Sequence, residues 1–173
     1  MKGAIAYLEK LTHFHKLRTS IHELVPSKGK MSRELEMVGI LVVSHGKLAE
    51  VLISSVQFLV GNLQRIKRVS IWPKDREKEI KDRIQQKMAE VDDGDGVVIL
   101  TDVLGGTPTN LCLSFFKEEK VEVVTGVNMP MLLTLSSYRK GKSLREIGKL
   151  VKKSGRRSIV LAKEVLGLRR KRR

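Results

Sequence analysis

Four short apolar runs punctuate this chain: residues 38–43 (VGILVV), 66–72 (IKRVSIW), 97–100 (VVIL) and 121–125 (VEVVT). Each is followed by enough chain for one helix. Short, strongly apolar runs suit strands buried on both faces, and parallel strands need a crossover of a dozen or more residues. The alternation therefore predicts an α/β fold: a doubly wound, mostly parallel sheet with helices on both faces.

The intervening segments carry helix periodicity and punctuation. Leu48, Leu52, Val56 and Leu59 recur at helical spacing, and Gly61-Asn62 stops them. Pro73-Lys74-Asp75 opens a helix burying Ile80, Ile84, Met88 and Val91, which Asp92-Asp93-Gly94 ends. Thr107-Pro108 reads as N-cap and first-turn proline of a helix presenting Leu111, Cys112, Phe115 and Phe116 to the core. Pro130 lies in the first turn of another. Ser143 and Glu146 form a capping box for a helix carrying Leu144, Ile147, Leu150 and Val151, with Gly155 as its stop. Residues 158–162 give one last strand. Trp72 belongs to the core or to a strand edge.

Charge divides the chain further. The net charge of +15 looks like a nucleic-acid signature until it is located. Residues 37–138 hold twelve basic and thirteen acidic side chains, whereas residues 139–173 hold fifteen basic and two acidic. A near-neutral centre argues against a lysine-lined groove built into the fold. The basic segment has no aromatic residue after Tyr138, so base stacking, and nucleic acid as partner, is disfavoured. Acidic partners or membrane headgroups are the expected contacts of the basic tail. Residues 1–36 read as a helix over 4–24 and a linker over 26–30, an accessory extension or a stretch outside the native product. Residues 37–165 form the main domain and 166–173 the basic tail. With neither a long apolar stretch nor a signal-peptide pattern, the expected location is the cytoplasm.

Three segments reach the carboxyl edge of such a sheet, where ligands of open α/β folds bind. Ser44-His45-Gly46 follows the first strand, the stretch from Thr101 to Thr107 follows the third, and Gly126-Val127-Asn128 follows the fourth. A neutral histidine such as His45 offers a nucleophilic ring nitrogen. Asp102 can accept a hydrogen bond from Nδ1 and so expose Nε2. Gly105, Gly106 and Thr107 would present backbone N–H groups to an anion such as a phosphoryl group on His45. Each signal alone has a plain structural reading, as loop histidine, cap or turn; their convergence on one edge carries the functional one. Neither GxxxxGK[ST] nor GxGxxG is present, so nucleotide binding is not favoured. Cys112 is a core residue rather than a nucleophile. His13, His15 and His22 are spaced wrongly for one shared metal site on a helix, and no metal is expected.

The stretches GILVVSHGKLAEVL, VVILTDVLGGTPTN and VEVVTGVNMPML, in this order, resemble the mannose/fructose-type IIA component of the bacterial phosphoenolpyruvate-dependent sugar phosphotransferase system. The resemblance covers about residues 37–165. It implies that His45 is the phosphorylated histidine, that Asp102 holds it, and that Gly105, Gly106 and Thr107 form the anion-binding turn. It implies HPr as phosphoryl donor and a IIB component as acceptor, in sugar uptake, with no cofactor. It also implies a homodimer in which the last strand, an antiparallel edge strand, is exchanged between subunits. Val103 and Leu104 stand where some relatives carry a hydroxyl and a tryptophan, which implies a less polar pocket. The alternative is a regulatory phosphoacceptor that signals nutrient status through phosphorylation-dependent partner binding.

Overall fold

The computed structural model describes residues 37–116 and 120–165. The expected helix over 4–24, the linker, His13, His15, His22 and the tail 166–173 lie outside the described residues. Four strands, β1 (Gly39–His45), β2 (Ile66–Ile71), β3 (Val97–Thr101) and β4 (Val121–Thr125), form one sheet in the order β2-β1-β3-β4. All three ladders are parallel, with Val43 opposite both Val69 and Thr101.

Side chains of β1 and β3 alternate between two cores, as the period of a strand requires. Ile40, Val42, Val98 and Leu100 face α1 (Leu48–Val60), α4 (Met129–Tyr138) and α5 (Leu144–Arg157). Leu41, Val43, Val97 and Ile99 face α2 (Glu77–Ala89) and α3 (Thr107–Leu113) through Ile80, Ile84, Leu111 and Cys112. Helices thus cover both faces, which is why these strands read as nearly continuous apolar runs. Burial pushes the Cys112 thiol up to about 12, which suits a packing residue.

Helix starts follow their predicted chemistry in part. The Asn128 side chain accepts from Met131 N–H, with proline in the first turn, and Ser143 and Glu146 form the capping box. Gly106, not Thr107, caps α3, and no side-chain bond is made there. The second helix begins at Glu77, because Asp75 accepts from the Trp72 amide and closes a turn first. The face of α1 is rotated from expectation. Ala49, Ile53 and Val56 are its buried residues, while Leu48 and Leu59 are exposed. With apolar residues on nearly every side of α1, spacing alone could not choose between two stripes.

Two further expectations are corrected at the C-terminal end. Gly155 does not stop α5, which continues to Arg157. A side chain at 155 would meet Met131 Cγ at 2.9 Å, so the glycine permits close packing of α5 on α4. Residues 158–162 form no strand within this chain: Ser158 caps α5, and Ala162–Val165 is a single helical turn. A strand exists through its ladder, and this segment has no partner strand among the described residues. Among those residues no helix is long and apolar enough to cross a membrane.

Candidate functional site

The strand order makes β1 and β3 neighbours whose following segments depart to opposite faces of the sheet. This is a topological switch point, where the ends of two strands leave a crevice. His45 is the last residue of β1 and Asp102 immediately follows β3, so both stand at that crevice.

The backbone around His45 is fixed from several sides. Ser44 is fully buried, and its Oγ accepts from the Ala49 N–H at 2.8 Å, which tightens the passage from β1 into α1. Gly46 takes a positive φ of 53°, and its N–H donates to the Ile71 carbonyl at 2.9 Å. The Trp72 ring lies beside this turn, 3.7 Å from where a Gly46 Cβ would stand. Trp72 is therefore a strand-edge residue beyond the end of β2, half-exposed rather than in the core.

Asp102 grips the histidine twice. Its Oδ2 lies 2.8 Å from both the His45 backbone nitrogen and the ring Nδ1, and its Oδ1 accepts from Val103 N–H at 2.9 Å. The carboxylate is 11% exposed and the histidine side chain 51%. Burial works to raise the Asp102 pKa, but the His45 amide, the His45 ring and the Val103 amide outweigh it. The net result is a carboxyl held below its ordinary range, ionised at neutral pH. An ionised carboxylate can only accept, so the proton on Nδ1 points at Asp102 and the Nε2 lone pair is left for chemistry.

The loop after Asp102 closes the other side. A Cβ on Gly106 would meet Val103 Cγ1 at 3.0 Å and His45 Cε1 at 3.1 Å, so the bare glycine lets the loop lie against the imidazole edge. Thr109 holds this loop: its hydroxyl donates to the Val103 carbonyl at 2.7 Å and lies 2.7 Å from the Thr101 hydroxyl. The amides of Gly105 and Thr107 make no hydrogen bond among the described residues, and Gly106 N–H reaches only the Val103 carbonyl, at 3.4 Å. Leu104, at the tip, is 74% exposed. The structure thus brings Asp102 and Gly106 against His45, with Gly105 and Thr107 on either side of Gly106 in the same loop. Asn128 is a helix cap. Among the described residues there is no cluster of three or more His, Cys, Asp or Glu side chains able to hold a metal.

Ser44, Thr101 and Thr109 were missed by sequence reasoning, although a hydroxyl ending an otherwise apolar strand was a usable sign for Thr101. An open apolar groove lies elsewhere, lined by Ser54, Ser55, Phe58, Leu59 and Met129. The titratable pair His45 and Asp102 meets in the polar crevice instead.

Similarity to known proteins agrees with this geometry. The chain is 28% identical over 124 residues to the mannose-specific EIIAB component of Escherichia coli K12, covering 70% of this chain but only 38% of that protein. It is 24% identical over 131 residues to the fructose-specific EIIA component of Bacillus subtilis, covering 75% of this chain and 90% of that one. Among solved structures, the PTS IIA protein associated with the fucose utilization operon of Streptococcus pneumoniae superposes with a TM-score of 0.65 at 32% identity, over 75% of this chain and 96% of that one. The EIIA component of Streptococcus agalactiae gives the same TM-score at 23% identity, over 72% of this chain and 97% of that one, a likeness of fold. Residues 39–152 match the family described as PTS system fructose IIA component, and the chain belongs to that EIIA-man family.

Proposed function

We propose that the protein is a histidine phosphocarrier of a sugar phosphotransferase system, taking a phosphoryl group from HPr onto His45 Nε2 and passing it to a IIB component. The observation that carries this reading is the Nδ1–Asp102 contact, which occupies one ring nitrogen of a half-exposed imidazole at the switch point and leaves the other for the phosphoryl group. The Nε2 lone pair attacks phosphorus, a P–N bond forms as the donor's P–N bond breaks, and the donor imidazole leaves with the electron pair. Positive charge that develops on the His45 ring is stabilised by Asp102 through Nδ1–H. The turn Gly105–Gly106–Thr107 lies against the ring, and its amides would donate to the phosphoryl oxygens. Such a transfer is governed by positioning and charge. The exposed Val103 and Leu104 give the crevice an apolar lip for a docking protein.

Incubation with phosphoenolpyruvate, enzyme I and HPr will place one acid-labile, base-stable phosphoryl group on the peptide containing His45. No label, or label confined to His13, His15 or His22, would refute the carrier reading. Passage of the label to a IIB protein separates uptake from a regulatory acceptor that keeps it.

The homodimer belongs to the same reading. Ile159, Val160 and Leu161 are exposed in the single chain, Ile159 at 81%, and Phe58 on α1 is 89% exposed. An edge strand exchanged between copies would bury the first three. Ile159→Lys with Leu161→Lys will shift the sedimenting species from dimer to monomer; an unchanged dimer would remove this segment from the interface.

A further inference from the structure

The outer face of α5 carries charge that the fold does not use. Arg145, Lys149, Lys152 and Arg156 are all exposed and stand at i, i+4, i+7 and i+11, a single row along the helix. At about 1.5 Å per residue the row is roughly 16 Å long. Lys153 and Arg157 flank it, also exposed. None of these six pairs with a carboxylate among the described residues, and the one acid of α5, Glu146, serves the capping box.

Helix stability does not account for the row. Like charges three or four residues apart repel, and Arg145 lies in the first turn, where the helix dipole disfavours a cation. Only Arg156 and Arg157 sit where the dipole favours them. The equally charged α2 is different: Lys81 pairs with Glu77, Lys87 with Glu90 and Arg83 with Asp75. These charges of α2 are thus used within the fold, whereas the six of α5 are left to solvent or to an anion.

The partner's chemistry follows from what the face lacks. It offers no aromatic side chain for stacking, and its six exposed charges are all cationic, so what it selects first is negative charge. Its apolar side, Leu144, Ile147 and Val151, is buried in the domain core, so the helix adsorbs to a surface rather than inserting into one. The placement is suitable. Gly96, at the amino edge of the sheet, lies against Leu144, and Asn128, at the carboxyl edge, lies against Gly155. The helix therefore runs along one flank of the domain, from the amino to the carboxyl edge of the sheet.

We propose that the outer face of α5 docks the protein on an anionic phospholipid surface, keeping the phosphocarrier crevice beside the membrane across which sugar is taken up. The choice of lipid over other polyanions rests on the sugar-uptake reading. The test is cosedimentation of the full chain with phosphatidylcholine vesicles, with and without about one-third phosphatidylglycerol. Binding is expected on the anionic vesicles alone, and it should fall away in high salt. Lys149→Glu, Lys152→Glu and Arg156→Glu together should weaken it by about tenfold or more. The corresponding glutamine variants, less demanding of the fold, should give an intermediate loss at unchanged thermal stability.

Equal binding to neutral vesicles overturns the proposal, as does binding indifferent to the α5 changes. So does binding that vanishes when only Arg169, Arg170, Lys171, Arg172 and Arg173 are changed to glutamine. Tighter retention on duplex DNA, or on HPr or a IIB protein, than on vesicles would assign the face to those partners and likewise overturn it. Labelling of His45 is read separately: its failure with vesicle binding intact sinks the carrier reading, and vesicle failure with labelling intact sinks only this proposal.

Discussion

Asp102→Asn will slow phosphoryl uptake at His45 by about a hundredfold or more while leaving the domain folded. The reason is a count of donors. One carboxylate oxygen accepts from both the His45 amide and the His45 ring, and the other accepts from the Val103 amide. An asparagine has one acceptor and one donor on that fork. With its oxygen toward Val103, its NH2 group faces the His45 amide, and the ring must turn Nδ1 into an acceptor. The proton then moves to Nε2, and the nucleophilic lone pair is gone. With its oxygen toward His45, the NH2 group opposes the Val103 amide and loosens the loop that carries Gly106. Either orientation damages the site. Single-turnover labelling from phospho-HPr checks the rate, and the imidazole nitrogen shifts report the tautomer. A wild-type rate in the variant would remove Asp102 from the mechanism.

The same carboxylate sets a pH dependence whose direction is fixed. Its folded-state pKa is depressed, so the stability it contributes is present above the unfolded value of about 3.9 and is lost as pH falls through the lower folded value. The Tm difference between wild type and Asp102→Asn should therefore hold steady from neutral pH down to about pH 5, and then shrink below about pH 4. Across the working range Asp102 stays ionised, so an acid limb in the labelling rate above about pH 5 arises from some other group.

How much of this was legible in the sequence depended on whether the physics was local. The strands were clear because β1 and β3, buried on both faces, are apolar until the hydroxyls of Ser44 and Thr101 at their carboxyl ends. The Asn128 and Ser143 caps were clear because donor and acceptor lie within three residues. His45, Asp102 and the Gly105–Thr107 turn could be brought together because one rule about strand ends applied to all of them. The rest rested on distant partners. Gly155 looked like a helix stop because the Met131 side chain packed on it belongs to another helix. Ser44 and Thr109 were not picked out because their partners are backbone groups and, for Thr109, also the Thr101 hydroxyl eight residues away. The apolar run over 158–162 has the composition of a strand, but no residue in it states which strand it would join.

Arg139 is the furthest case, and it supports the largest expected effect on stability. It follows α4 at the amino edge of the sheet, 4% exposed, and makes no ion pair with a carboxylate among the described residues. Its guanidinium donates to the carbonyls of Val38 at 3.0 Å and Arg65 at 3.5 Å, and to that of Gln64. Burial, then the nearby charge of Arg65, lowers its pKa to about 10, which still leaves it protonated at neutral pH. A buried cation can persist here because three carbonyl dipoles solvate it, of which, among the described residues, only that of Arg65 has another donor, the Ile40 N–H at 2.9 Å. Arg139→Met keeps the length and apolar stem but strands the Val38 and Gln64 carbonyls, each at about 1–2 kcal/mol. The expected loss is about 3 kcal/mol, which for a domain of this size lowers Tm by roughly 10 °C. The site should be spared, since these bonds hold the amino edge while His45 and Asp102 stand at the carboxyl edge. Well below its Tm, Arg139→Met should thus label at the wild-type rate, the opposite pattern to Asp102→Asn. A variant that melts like wild type would mean that water solvates those carbonyls as well as the guanidinium does. One that is stable but slow to label would mean that the two edges of the sheet are coupled, through β1 and the turn at Gly46.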